Sequence, residues 1–369
     1  MNVDKVKLLF FVPSNSYGGG EAYIFNLISY IKGAKSNCEV LVLTGCRLLE
    51  SYLAELNVRV VYLNTSPQLG LRLMISISNL NYYISNFSPD AVFLNGLPEA
   101  GVYSRYIKFQ NLICICHSNE YWLRESKFVS VKRLLKWLVI FNFDRYLKKL
   151  IVITDEAVKS TSFLRASGLT IEKIHNGISP IVLKKNQSFL KKDFVVFGRI
   201  SRLCPGKGNE NLIMAFSEYY EVHQNGYLFF AGEGEDFDSL NSLVESLGLQ
   251  KNVVFLGHVK PIEFYSKIDC MVSPSDMEGL PTVIIEAMSC NVPIISTNVG
   301  GVSELINHLD TGYLVQPYSI SELKEAMCFF SDNQDLFHSM AKKAYIKYLL
   351  EFSLNSFGEK TWRNIVEII

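Results

Sequence analysis

Short apolar runs rich in β-branched and aromatic residues alternate with helical patterns along the chain. In the first half these runs are KLLFFV, EVLVLT, VRVVYL, DAVFLN, NLICIC and LIVIT, and in the second half they are FVVFG, GYLFFAG, VVFLG, CMVSPS and PIIST. Such alternation is typical of a parallel sheet with helices on both faces. The sequence therefore predicts an α/β fold with two doubly wound, Rossmann-like domains that face a cleft.

The two series are separated by a segment of little periodicity that contains Pro180 and several lysines. We therefore expect an N-terminal domain over 1–180, a linker over 181–192 and a second domain over 193–352. Residues 353–369 are predicted to form a helix that belongs to neither series and packs back on the first domain. A chain of 369 residues, 49% of them apolar, is long enough to build two cores.

The amino-acid composition limits which kinds of partner and cofactor we expect the protein to bind. The 36 basic and 36 acidic residues cancel, so there is no general electrostatic attraction to nucleic acid. Eight cysteines without a CxxC pair and six scattered histidines argue against a zinc site, and we expect no metal or cofactor. No apolar run reaches the length of a membrane span, so a cytoplasmic protein is expected.

The most informative motif is SPSDMEGLPTVIIEAM, in which a strand turns through Gly279 and Pro281 into a helix. Proline is tolerated in the first turn of a helix, so the amides around Leu280 and Thr282 should point out of the helix start. Such amides favour an anion. We therefore predict that Gly279, Leu280 and Thr282 belong to a binding site for a negatively charged ligand.

Glu278 and Glu286 flank this turn, the first in the loop and the second about one turn into the helix. A carboxylate accepts paired hydroxyl donors, the geometry that a ribose or a pyranose offers. The alternative is that Glu286 is a solvated helix residue, but its neighbours in VIIEAM are apolar. Both glutamates are therefore candidate ligand contacts.

The motif EGLPTVIIE, together with FVVFGRISRLCPGKG and LFFAGEGE, resembles the glycosyl transferases group 1 family, also called glycosyltransferase family four. The resemblance is dense from Phe194 to Pro317 and thinner in the N-terminal half. It implies the GT-B fold and a metal-independent, retaining hexosyltransferase. The implied reaction moves a sugar from a UDP- or GDP-linked donor to a glycan or lipid-linked saccharide, in surface polysaccharide biosynthesis.

The resemblance also implies roles for residues in the second half. Arg199 and Lys207 match the family's cations on the donor diphosphate, with Arg202 as a rival; without a metal, cations must meet the charge of the leaving group. Glu286 would hold the ribose, and Glu278 would contact the sugar. Asp236 and Asp238 form a DxD pattern, which we interpret as acids in the first turn of a helix.

In the first half, Gly18, Gly19 and Gly20 lie between strand one and a helix that starts near Glu21. The family turns this loop toward donor phosphates and acceptor, and the alternative is a simple tight turn. By the same resemblance, His117 after LICIC contacts the donor sugar at the reaction centre, without acting as a nucleophile. A lone histidine can equally be structural.

Residues 124–149 carry eight basic and two acidic residues interleaved with aromatic and aliphatic side chains. This composition is typical of an element that lies on an anionic membrane surface, and also of a surface helix packed on its own sheet. In the first case the protein is peripheral on the inner face of the membrane.

Two other functions remain open from the sequence. A nucleotide-sugar epimerase shares the two-domain architecture, as does a catalytically silent GT-B partner subunit that keeps the fold for binding. Retention of both glutamates and both cations argues against the silent subunit.

Overall fold

The chain folds into two units, each built around its own sheet. In the computed structural model, the first unit comprises Met1–Gly177 together with Leu354–Ile369, and the second comprises Ile178–Ser353. Residues 184–193, which include most of the predicted linker, lie outside the described residues. The structure describes residues 5–63, 71–96, 106–107, 109–117, 147–162, 169–183 and 194–369.

In its described part, the first unit has a parallel sheet in the order β3-β2-β1-β4-β5-β6-β7. The strands are β1 (Val6–Val12), β2 (Cys38–Thr44), β3 (Arg59–Tyr62), β4 (Ala91–Asn95), β5 (Leu112–Cys116), β6 (Leu147–Val152) and β7 (Thr170–Lys173). The helices among them are α1 (Gly19–Ala34), α2 (Arg47–Glu55), α3 (Leu71–Phe87) and α4 (Asp155–Thr161).

The second unit repeats this architecture with a parallel sheet in the order β10-β9-β8-β11-β12-β13. Its strands are β8 (Val195–Ile200), β9 (Gly226–Ala231), β10 (Val253–Phe255), β11 (Cys270–Ser273), β12 (Ile294–Thr297) and β13 (Tyr313–Val315). Its helices are α5 (Asn209–His223), α6 (Phe237–Ser246), α7 (Pro261–Tyr265), α8 (Thr282–Ser289), α9 (Val302–Leu305), α10 (Ile320–Asp332), α11 (Gln334–Lys347) and a π turn (Tyr348–Phe352).

Continuous apolar runs form the central strands of both sheets. Every residue of β4 and β5 is buried, and so is every residue of β11 and β12. Strands covered by helices on both faces need apolar side chains on both, which explains runs without alternation. The prediction of two doubly wound parallel-sheet domains is confirmed.

After the second unit, the chain returns to the first as helix α12 (Leu354–Val366). Phe357 packs edge-on against Tyr23 of α1, with ring centroids 4.8 Å apart. Just after the end of α12, Glu367 Oε2 lies 2.8 Å from Nζ of Lys149, a buried residue of β6. The described first unit is therefore closed by a segment that lies more than 180 residues beyond its last strand.

The close approach of α12 to α1 depends on Gly358. A Cβ built at this position lies 2.0 Å from Cγ of Tyr30, whereas a Cβ at Gly33 of α1 meets nothing within 4 Å. We expect Gly358→Ala to lower the free energy of unfolding by about 1–3 kcal/mol through overpacking. Gly33→Ala should raise it by about 0.5–1 kcal/mol, because alanine favours a helix.

Denaturant titration of the first unit's unfolding transition measures both changes. Equal effects of the two substitutions would contradict the close contact between α1 and α12.

Candidate functional site

The predicted donor-side residues meet at one edge of the second sheet. Strand order reverses between β8 and β11, and open α/β sheets bind ligands at the carboxyl ends of strands beside such a switch point. Arg199 lies in β8, Lys207 in the loop after it, and Glu278 in the loop after β11. Residues more than 70 positions apart in the chain are thus brought together.

Arg199 is a buried cation that ties these loops together. Its side chain is only 1% exposed, and Nη1 donates to Ser273 Oγ at 2.7 Å. Nη2 donates to Ser275 Oγ at 2.7 Å and to the carbonyl oxygen of Lys207 at 3.2 Å. Burial lowers the pKa of Arg199 to about 10, so the guanidinium stays charged at neutral pH.

Of the two cations that the resemblance places on the diphosphate, Lys207 is the one that solvent can reach. Its Nζ lies 2.8 Å from Oε1 of Glu278, and the two side chains are 23% and 15% exposed. Arg202, the rival cation, is exposed and lies outside the Arg199 network. The structure thus pairs one predicted cation directly with one predicted carboxylate.

Two glycines allow the loops to pack this closely. Gly208, at φ 66°, precedes α5, and a Cβ there would lie 1.9 Å from the carbonyl oxygen of Pro274. Gly300, at φ 52°, would place a Cβ 1.8 Å from the carbonyl oxygen of Glu278. Any side chain at either position would push the loop after β11 out of place.

The start of α8 lies directly after Glu278. Gly279 accepts a hydrogen bond from the amide of Gly301 at 2.8 Å, and Leu280 is buried. The helix begins at Thr282, so the prediction that Pro281 lies in the first turn is wrong by one residue. The reason is its extended backbone, with ψ 111°. The helix-start amides therefore begin at Thr282.

Glu286 lies one turn into α8 and is half-buried. Its Oε2 accepts a hydrogen bond from Tyr265 Oη at 3.2 Å. Burial raises the pKa of Glu286 to about 7, and the hydrogen bond from Tyr265 opposes this rise. Near neutral pH the carboxyl is therefore divided between its neutral and ionised forms.

In the first unit, the glycine loop is shorter than the sequence predicts. Helix α1 begins at Gly19 and not near Glu21, so Gly19 and Gly20 belong to its first turn. The earlier start follows from capping, because the amide of Gly18 donates to Glu21 Oε2 at 2.8 Å. Gly18 and Gly19 are exposed at the carboxyl end of β1.

His117 follows β5 and lies against Gly20 and Asn95. Its Nε2 donates to Asn95 Oδ1 at 2.5 Å, and a Cβ at Gly20 would lie 3.0 Å from the imidazole ring. The Tyr23 ring lies edge-on, with centroids 5.0 Å apart. Burial lowers the pKa of His117 to about 4, so the imidazole is neutral at pH 7. In the first unit, the structure brings His117 and the glycine turn together.

The acidic pair of the DxD pattern lies where the dipole interpretation predicts, with Asp236 at the N-cap of α6 and Asp238 in its first turn. Among the described residues, no group of three or more His, Cys, Asp or Glu side chains is placed to hold a metal ion.

Most of the basic segment, 124–146, lies outside the described residues, including Lys132, Arg133 and Lys136. Lys149 is described, and its Nζ donates to Asn364 Oδ1 at 2.7 Å as well as to Glu367. Lys149 therefore packs inside the first unit and is not available to a membrane surface. Within the described ranges, the helices are too short or too polar to cross a bilayer.

The second unit matches a known family over nearly its whole length. Residues 182–347 match the family model of the glycosyl transferases group 1. This segment contains Arg199, Lys207, Glu278 and Glu286, and the match supports the family that the motifs predict.

Two curated relatives support the same assignment. The chain is 33% identical over 192 residues to an uncharacterized glycosyltransferase of Methanocaldococcus jannaschii, covering 48% of this chain and 47% of that protein. It is 26% identical over 200 residues to N-acetyl-alpha-D-glucosaminyl L-malate synthase of Bacillus anthracis, covering 52% of each. The chain thus spans about half the length of the curated relatives that it matches.

Among solved structures, HepE of Anabaena in complex with UDP matches with a TM-score of 0.81 at 20% identity. The match covers 98% of this chain and 100% of that one. At this identity the match shows the fold. The chain has the GT-B fold, as the group 1 resemblance implies.

The sequence motifs did not predict some residues of this site. Ser273 and Ser275 hold Arg199, and their alternate spacing at the end of a strand is a signal that could have found them. Tyr265 lies 21 residues before Glu286 on another helix, so no local spacing connects the two.

The pKa of Glu286 has a consequence for stability. Because the folded-state pKa is raised from 4.5 to about 7, the folded protein binds more protons than the unfolded chain between these values. The free energy of unfolding therefore falls as pH rises from 4.5 to 7 and stays low above 7. Glutamine is neutral throughout, so Glu286→Gln should be about 2 kcal/mol more stable than the wild type at pH 8.

Calorimetric unfolding at pH 4.5 and pH 8 measures the difference, which should nearly vanish at the lower pH. Glu263→Gln, at an exposed position on α7, is the control. Equal effects of Glu286→Gln at both pH values would contradict the raised pKa.

Proposed function

We propose that the protein is a glycosyltransferase that moves a sugar from a nucleotide diphosphate donor to a glycan or lipid-linked saccharide. The observation that carries the proposal is the Lys207–Glu278 ion pair just before α8, the helix that carries Glu286. All three residues lie within the segment that matches the group 1 family. A cation and helix-start amides suit a diphosphate, and the two carboxylates suit sugar hydroxyls.

The donor binds at the carboxyl edge of the second sheet in this proposal. Lys207 leaves Glu278 and contacts the diphosphate, together with the amides around Gly279, Leu280 and Thr282. Glu278 is then free to accept hydroxyls of the transferred sugar. Glu286 accepts the ribose hydroxyls.

Charge from the protein takes the place of a metal ion on the leaving group. Arg199 keeps its positive charge although it is buried, and it binds the backbone carbonyl of Lys207 itself. A fixed charge in a poorly solvated site interacts strongly with the negative charge that develops as the diphosphate departs. Arg199 therefore acts on the diphosphate by its field and by holding Lys207 in position.

A uridine donor has the better support. HepE, which shares the fold, was crystallised with UDP, and UDP and GDP are the two candidates that the motifs imply. A binding screen with UDP and GDP distinguishes these two candidates.

The first unit supplies the acceptor side. Gly18 and Gly19 are exposed at the carboxyl end of β1, where ligands collect in such sheets. His117 is neutral and its Nε2 proton is held by Asn95, so it can orient a sugar by a hydrogen bond but does not supply a nucleophile. Because neither His117 nor Glu278 acts as a nucleophile in this proposal, we infer front-face attack with retention, in which the leaving phosphate accepts the proton of the acceptor hydroxyl.

We place the reaction in the assembly of surface polysaccharide, in the cytoplasm. The basic segment 124–149, apart from the buried Lys149, would bring the first unit to an anionic leaflet, where a lipid-linked acceptor is presented.

The rival functions predict different outcomes with the same reagents. A nucleotide-sugar epimerase converts the donor without an acceptor, and a silent partner subunit binds it without turnover. Incubation with UDP- and GDP-sugars followed by NMR separates transfer, isomerisation and silence.

Lys207→Met tests the donor site. Loss of the cation should abolish most of the thermal stabilisation by UDP or GDP, since that stabilisation depends on ligand concentration over Kd, and should lower kcat/KM at least about 100-fold. Lys343→Met is the matched control, because Lys343 also forms a 2.8 Å ion pair, with Asp310, in the same unit. Equal losses in both variants would contradict a specific role for Lys207.

The configuration of the product tests the mechanism. NMR of the anomeric centre should show the configuration of the donor sugar, and an inverted centre would overturn front-face attack.

A liposome assay tests the membrane proposal. Co-sedimentation with anionic vesicles should be salt-sensitive and should weaken when Lys132, Arg133 and Lys136 are changed to glutamate, because about 1 kcal/mol of attraction is lost per basic residue. The control variant is Lys251→Glu, which changes an exposed lysine of the second unit. An absence of binding at low salt would remove the membrane proposal.

A further inference from the structure

A buried tyrosine contacts the carboxylate that we assign to the ribose. Tyr265 is the last residue of α7 and is fully buried. Its Oη lies 2.8 Å from the carbonyl oxygen of Val283 and 3.2 Å from Oε2 of Glu286. The family motifs do not include this residue.

The two acceptors lie three residues apart on α8, which places them on one face of the helix. One hydroxyl proton is therefore shared between a backbone carbonyl in the first turn and the carboxylate in the second. Such a contact limits the rotamers of Glu286, whose side chain otherwise has three free torsions.

The contact also gives the two carboxylate oxygens of Glu286 different surroundings. Oε2 is held by Tyr265, whereas Oε1 has no hydrogen-bond partner within the described ranges and is not sealed from solvent. A ligand that approaches the start of α8 therefore meets a carboxylate whose orientation is already set. Preorganised groups lose less conformational freedom on binding.

We propose that Tyr265 is a positioning residue for Glu286, holding one carboxylate oxygen so that the other accepts the hydroxyls of the donor nucleotide. This inference rests on the proposed function for the identity of the ligand. The contact between the two side chains does not depend on it.

The surroundings of Glu286 leave Tyr265 as the main group that favours its ionised form. Burial raises the pKa of the carboxyl, and the Tyr265 hydroxyl lowers it. Tyr265 keeps its own proton, because burial raises its pKa well above the ordinary value, although the charge of Arg199 on β8 partly opposes this rise. Cys290, one turn further along α8, is a neutral thiol with a pKa raised to about 12.

The other elements that pack on α8 are α11, the π turn and β12. The π turn contributes Tyr348, whose phenol interacts with Cys290 and keeps its proton because burial raises its pKa. Within the described ranges, none of these elements adds a charge that shifts the pKa of Glu286. Removal of the Tyr265 hydroxyl should therefore raise this pKa, and binding of a ligand that needs the carboxylate should shift with it.

The alternative is that Tyr265 only satisfies its own hydroxyl through Val283, at the shorter of the two distances. Stability alone cannot separate these roles, since either contact is lost in Tyr265→Phe. The titration of Glu286 can, because a hydroxyl that serves only Val283 has no effect on it.

The experiment is a ¹³C NMR titration of the side-chain carboxyl of Glu286, assigned by its loss in Glu286→Gln. In the wild type we expect a midpoint near pH 7. In Tyr265→Phe the midpoint should rise by about one to two pH units, the effect of one hydrogen bond to a charged group. The Kd for UDP, measured by calorimetry from pH 6 to 8.5, should become tighter with rising pH and show the same displacement.

The matched control is Tyr219→Phe, which also removes a buried hydroxyl in the second unit. Tyr219 Oη hydrogen-bonds to Asn225 Oδ1 at 3.2 Å and to Ser331 Oγ at 2.9 Å. This variant should lose comparable stability and leave the Glu286 midpoint in place. Equal midpoints in the wild type and Tyr265→Phe would overturn the inference.

A second measurement needs no variant and covers the case in which Tyr265→Phe fails to fold. As Glu286 ionises, it draws the shared proton away from Val283, so the ¹³C shift of the Val283 carbonyl should follow the same midpoint in the wild type. A Val283 signal that stays flat overturns the positioning role. If both titrations behave as expected but neither UDP nor GDP binds, the contact stands and the proposed function fails.

Discussion

A guanidinium enclosed within the second unit must be given hydrogen-bond acceptors, because an unpaired buried charge costs several kcal/mol. Arg199 obtains them from two serine hydroxyls, one at the last residue of β11 and one just after it, and from the backbone of Lys207 after β8. The requirement fixes two loops against each other. Once these loops are fixed, Lys207 reaches Glu278, and the turn into α8 lies beside both. The geometry of the candidate site thus follows from the hydrogen-bonding needs of one buried arginine.

The described residues at the carboxyl edges of the two sheets differ in charge. In the second, the carboxyl edge of the sheet gathers two cations and two carboxylates. In the first, the corresponding edge carries exposed glycines and a neutral imidazole held by Asn95. A charged edge suits a diphosphate and its sugars. A neutral imidazole suits the hydroxyls of a saccharide, which hydrogen-bond without demanding a counter-charge.

The sequence was sufficient for the fold because continuous apolar runs separated by helical patterns leave few options other than parallel sheets. It also predicted Lys207 as a site residue through the family resemblance, and Glu278 and Glu286 through the turn that Gly279 and Pro281 mark before α8. It misplaced the starts of α1 and α8, where the capping of Glu21 and the extended ψ of Pro281 decide the boundary. Tyr265 could not be predicted from the sequence, because its hydrogen bond to Glu286 forms only when α7 packs against α8.

The ion pair between Lys207 and Glu278 sets a condition on the ligand in the proposed function. A free phosphate attracts Lys207 but leaves Glu278 without its partner, and a neutral sugar satisfies Glu278 but leaves Lys207 uncompensated. A molecule that carries both an anion and hydroxyl donors replaces both halves of the pair at once. In this proposal the ion pair therefore favours an intact nucleotide sugar over phosphate or sugar alone.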